Sequence, residues 1–228
     1  MRLVAFLCLS LALPALTISA RADDLPPPGA VDRLIGAHRL MAMGMATRDG
    51  LSQIAAARLV AGLEVQRVGR QPELAGTAPP GTDTAPDARP GPMELDAMIE
   101  TARHAVEADE SLSWLLQSSL AGAEALPKAV LRQSDAVLEP GQSHEYRLPV
   151  DGGAALEIGL VGDGGGALSL SVKGEVGKRE GGTGETGLLC LAPEAPAACR
   201  VTLSESGFVA VTIGNAGPET HSYWLVTN

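Results

Sequence analysis

At 228 residues the chain holds one large domain or two small ones, and with 45% hydrophobic but only 3% aromatic side chains any core must be built from Leu, Val, Ile and Ala. The formal net charge of −10 repels phosphate backbones, and no basic stripe interleaved with aromatics offsets it, which excludes nucleic acid as a partner. Few aromatics also leave few platforms on which sugars or bases could stack.

Residues 1–22, MRLVAFLCLSLALPALTISARA, read as a secretory signal peptide: Arg2 supplies the positive start, an apolar core follows, and Ala20-Arg21-Ala22 is a small-residue cleavage site. The core is shorter than the ~20 residues a bilayer span needs and Pro14 interrupts it. A periplasmic or secreted product with no transmembrane segment after cleavage is expected. Of the three cysteines, Cys8 leaves with the leader. Cys190 and Cys199 remain as a pair in an oxidising compartment, where a disulfide is the simplest outcome because a zinc site lacks two further ligands nearby.

Residues 23–29, DDLPPPG, predict an exposed arm, since three consecutive prolines favour polyproline II over regular structure. Apolar side chains recur at helical spacing over 30–48 and again over 50–65, with Asp49 as a cap between them, so 30–68 is expected to be a helical hairpin. Residues 69–92 are rich in Pro and Gly with Leu74 as the one large apolar side chain, and read as a disordered loop. Helical spacing returns over 93–108 and 111–125, giving a second hairpin at 93–126 capped by Asp109 or Ser111.

Beyond Pro127 the period switches to two. Strand-like runs at 144–150, 155–161, 167–172, 187–191, 199–203, 208–213 and 221–227 are separated by Gly-rich and Pro-Gly turns. The expected fold class is α+β in two segregated parts: N-terminal helical hairpins forming a four-helix unit, then an antiparallel, jelly-roll-like β-sandwich over 133–228.

Two segments of that sandwich, LEPGQSHEYRLPVDGGAALEIGLVGDGGGALSLSV (138–172) and ESGFVAVTIGNAGPETHSYWLVTN (205–228), resemble the bacterial pre-peptidase C-terminal domain. The first carries a Pro-Gly turn, a strand and a glycine turn into a core strand. The second carries Gly207 before a strand, the turn at Asn215 and Gly217, and a closing strand with Tyr223 and Trp224. The resemblance implies a jelly roll, export and a non-catalytic accessory role. The acidic residues of the calcium-binding members are missing around ALSLSV, where only Asp163 precedes the strand, so the resemblance brings no calcium site with it.

There is no G-x-S-x-G elbow, no H-E-x-x-H helix and no free cysteine beyond the leader, and GDGGG at 162–166 lies between strands and opens no helix. No enzyme and no cofactor are therefore expected. His144, Tyr146, His221 and Tyr223 alternate on two strands and, if those strands are neighbours, form a polar-aromatic patch able to meet a glycan or peptide. The expected function is exported, non-catalytic binding, with the sandwich contacting a cell-envelope polymer or a partner protein. The alternative is a metal-handling or metal-dependent protein. It would use His38, Met41 and Met45, which share one helix face while Met43 points away, or Glu100, His104 and Glu107 at i, i+4 and i+7. The first set doubles as the apolar stripe that a hairpin must bury, and the second as a solvated helix face.

Overall fold

The computed structural model describes residues 28–75, 90–175 and 187–228. The leader read at 1–22, most of the arm at 23–29 and residues 76–89 of the Pro/Gly-rich segment lie outside the described residues. Four helices, α1 (Ala30–Thr47), α2 (Gly50–Ala61), α3 (Leu95–Val106) and α4 (Glu110–Glu124), are joined by ten strands. Two strands come early, β1 (Leu63–Arg67) and β2 (Glu73–Ala75). The others are β3 (Ala129–Leu138), β4 (Ser143–Val150), β5 (Ala155–Gly162), β6 (Leu168–Glu175), β7 (Gly187–Ala192), β8 (Ala197–Thr202), β9 (Gly207–Asn215) and β10 (His221–Thr227). The protein is α+β, and no helix among the described residues is long and apolar enough to cross a membrane.

The caps follow the expected chemistry. Asp49 accepts from the Leu51 amide at the start of α2, and Asp109 accepts from the Leu112 amide at the start of α4, each satisfying an amide that the helix itself leaves open. Arg48, at φ 57°, takes the left-handed conformation that ends α1 and turns the chain into α2.

The strands form two five-stranded sheets. Sheet A runs β1-β3-β10-β5-β8 and sheet B runs β2-β4-β9-β6-β7. All pairings are antiparallel except β1 with β3. Parallel neighbours need a long crossover, and the chain makes it through the α3–α4 hairpin. The Cys190–Cys199 bridge, with Cα atoms 6.0 Å apart, joins β7 at the edge of sheet B to β8 at the edge of sheet A. Closing that short loop stabilises the fold by about 2 to 3 kcal/mol on the chain-entropy account.

Three expectations are corrected. Residues 63–67, read as the end of a helical hairpin, are strand β1: Gly62 ends α2, and Leu63 is buried in register with Ala129, so long-range pairing overrides a short local apolar pattern. Residues 73–75, read as disordered loop, pair with 143–145 as edge strand β2, and all three side chains are exposed, so backbone pairing places them, helped by Ser143 Oγ donating to the Ala75 carbonyl at 3.1 Å. The connection between β1 and β2 is pinned by Arg70, which donates to Ser134 Oγ at 3.2 Å and Thr227 Oγ1 at 2.8 Å. The sandwich begins at Ala129 rather than 133, because β3 breaks strict alternation by burying both Gln133 and Ser134.

The helices are not a separate unit beside the sandwich. They form a third layer on the outer face of sheet A, and two apolar clusters result. Val31, Leu34 and Ile35 of α1 with Ile54 and Val60 of α2 pack on Leu131, Val161, Trp224 and Val226 of sheet A. Tyr223 and Leu225, alternating with those last two on β10, face Leu148, Leu170, Val211 and Ile213 between the sheets. Gly159 of β5 permits the close approach of α1: a Cβ there would stand 2.6 Å from Val226 Cγ2 and 2.7 Å from Val31 Cγ1. Glu157, buried on the same strand, accepts from the Val31 amide at 3.2 Å and pairs with Arg200, which places a carboxylate at the positive end of α1.

Candidate functional site

The expected polar-aromatic patch lies inside the protein. β4 and β10 are not neighbours; they belong to opposite sheets, so His144 and Tyr146 point across the interior at Tyr223. Tyr223 OH meets His144 Nδ1 at 2.6 Å and Tyr146 OH at 2.7 Å. Burial lowers the His144 imidazole pKa and raises those of the Tyr146 and Tyr223 hydroxyls, so all three stay neutral at ordinary pH. His221 stands apart: its Nδ1 is 2.9 Å from Asp163 Oδ1. Burial opposes charge on Asp163, but that contact and the Ser222 and Gly165 amides outweigh it and hold the carboxyl below its usual range. The four residues sit in the interior, out of reach of a glycan or peptide at the surface.

The second set of soft donors converges better. His38, Met41 and Met45 line one wall of a cleft of about 520 Å³ between α1 and the end of β5, and Met93, ahead of α3, lines it too. Met41 is buried, Met45 is half exposed, and Met43 is turned to solvent outside the cleft. The His38 ring meets Trp224 edge to face at 5.8 Å, and its Nε2 is buried with no hydrogen-bond partner among the described residues. A thioether sulfur is only a weak acceptor and none meets this nitrogen, and an unmet polar atom of this kind costs about 1 to 3 kcal/mol.

Burial lowers the His38 pKa from 6.5 to about 4. Between those values the unfolded chain binds a proton that the folded chain refuses, so stability falls as pH drops from 6.5 toward 4 and levels below it. Allowing for solvent at the partly buried ring, the expected loss is roughly 2 kcal/mol. Urea midpoints taken at about pH 7 and about pH 4 check it: the difference should shrink by that amount in His38→Phe, while the smaller share from His144 persists in both proteins.

Glu100, His104 and Glu107 do not gather as a metal site. Glu100 pairs with Arg103 and His104 with Glu107, all on an exposed face of α3, because i, i+3 neighbours satisfy each other first. Among the described residues no group of three or more His, Cys, Asp or Glu side chains stands close enough to hold a metal.

One broad face is covered by no helix among the described residues. The helices sit on sheet A, but the outer face of sheet B carries Glu145 and Arg147 of β4, Phe208 and Thr212 of β9, and Ser171 and Lys173 of β6. Glu145, Thr212, Ser171 and Leu191 run in one register row across four strands. Arg147 lies over the Phe208 ring at 3.8 Å from its centroid.

No family model and no curated protein matches the sequence. Among solved structures, a de novo designed double-stranded beta-helix covers 42% of this chain and 99% of its own, at 13% identity and a TM-score of 0.25. The periplasmic inhibitor of g-type lysozyme from Aeromonas hydrophila, PliG, covers 43% of this chain and 86% of its own, at 11% identity and a TM-score of 0.28. Neither likeness bears on what this chain does.

Sequence reasoning missed Met93 and the sheet B face. Helical spacing puts Met93 at the start of a helix, whereas it lies ahead of α3, and its meeting with α1 depends on how the crossover lands. The exposed side of β4 is legible as Glu145, Arg147 and Pro149 alternating with apolar neighbours, but nothing local says which sheet the helices leave bare.

Proposed function

We propose that the protein is an exported, non-catalytic binding protein that engages a partner protein or a cell-envelope polymer through the outer face of sheet B. The observation that carries this reading is the asymmetry of the two sheets: α1 packs on the outer face of one and holds the other helices over it, while among the described residues the other presents an outer face that carries a stacked Arg–Phe pair. Arginine and aromatic side chains are the residue types that concentrate binding energy at interfaces. The flanking Ser and Thr hydroxyls supply hydrogen bonds at little conformational cost. The leader-like segment at 1–22 and the bridge between Cys190 and Cys199 support export, since such bridges persist in oxidising compartments. On this reading residues 129–228 act as the accessory module that the pre-peptidase C-terminal resemblance implies.

Sedimentation with purified peptidoglycan and a photo-crosslinking residue placed at Thr212 in intact cells test the two kinds of partner separately. Binding or crosslinking in one arm, lost by about tenfold or more in Arg147→Glu and Phe208→Ala, is the expected result. Binding indifferent to both substitutions, or turnover in a hydrolase screen abolished by a single substitution, overturns the reading.

A further inference from the structure

The cleft beside α1 holds a donor set that the binding reading does not use. His38, Met41 and Met45 stand at i, i+3 and i+7 on one face of α1, and Met93 joins them from another part of the chain. Most of the remaining lining is proline, glycine and aliphatic carbon, from Pro90 and Pro92 to Val161 and Pro196. A water molecule there finds few polar partners for the orphaned imidazole, because a stable buried water needs two to four of them. Asp163 is the one carboxylate among the lining residues, and His221, Ser222 and Gly165 already hold it. Calcium and magnesium want six or more oxygens, which this cleft does not supply. One imidazole with thioethers is instead the donor chemistry of a soft monovalent ion.

We propose that this cleft binds Cu(I), with the His38 imidazole and the thioether sulfurs of Met41, Met45 and Met93 as its donors. The ring is held for that role by its edge-to-face contact with Trp224, and its Nε2 has no competing partner among the described residues. Because the cleft borders the helical layer on sheet A while the Arg147–Phe208 pair lies on the outer face of sheet B, this site and the proposed docking face stand or fall separately.

Titrating the purified chain with Cu(I) in ascorbate, against bathocuproine disulfonate as competitor, measures stoichiometry and affinity together. One Cu(I) per chain is expected, with X-ray absorption showing sulfur scatterers and one nitrogen. Met45→Leu and Met93→Leu should each weaken binding by about tenfold or more, the size already lost when an outer-shell partner is removed. Their metal-free melting temperatures should hold, since leucine keeps the methionine volume. His38→Phe should weaken binding further. If that variant fails to fold, Met45→Leu decides, because Met45 is half exposed and tolerates exchange. Absence of Cu(I) binding, bound copper without sulfur scatterers, or an affinity unchanged in a Met45→Leu, Met93→Leu double variant overturns the proposal. Loss of polymer or partner binding in Arg147→Glu leaves these readouts untouched.

Discussion

Trp224→Ala is expected to destabilise the protein by about 3 to 5 kcal/mol, the range for deleting a large buried aromatic. Trp224 lies on β10, the middle strand of sheet A, and faces the helices, where it touches the same apolar cluster as Val31, Leu34 and Met41. Truncation leaves a hole under α1 that the sheet cannot close, since Val161 on the neighbouring strand is fixed by its own pairing. Urea unfolding followed by circular dichroism gives the number. Trp114 is the natural control: at 70% exposure its loss should move stability by about 0.5 kcal/mol or less. A Trp224→Ala variant within about 1 kcal/mol of the parent would mean that α1 does not rest on the sheet as described.

Tyr223→Phe is expected to cost about 3 kcal/mol, although it removes a single oxygen. That oxygen serves two buried partners, and without it both His144 Nδ1 and Tyr146 OH lose their contact between the sheets. Tyr146→Phe should cost less, because Tyr223 keeps His144 and only one contact is lost. A double-mutant cycle over the two tyrosines isolates their coupling, which should exceed about 0.5 kcal/mol. Strict additivity would show that the two hydroxyls do not meet.

Much of the sheet pattern was legible because alternation is a local signal. The runs read at 144–150, 155–161 and 221–227 fall within a residue of β4, β5 and β10. The pairing of Cys190 with Cys199 was legible from number and compartment alone. The three strands that were missed all lacked that signal: β1 looks apolar at helical spacing, β2 buries nothing, and β3 turns two polar side chains inward. The site readings divided for a related reason. Spacing along one helix correctly grouped His38, Met41 and Met45, since geometry within a helix is fixed. The expected patch of His144, Tyr146, His221 and Tyr223 on one face is not formed: three of them meet across the interior and His221 turns to Asp163, because whether two strands lie side by side or face to face decides between surface and interior. A single sequence does not carry that choice.

The central place of β10 has a consequence for how the molecule comes into being. Its residues border both apolar clusters, yet they are encoded later than every other described strand. Helices α1 and α2 emerge from synthesis long before the strand that covers them exists, so their greasy sides stay open while the chain lengthens. Both apolar clusters therefore receive their last members only when β10 has been made, so the fold closes late rather than growing outward from its start.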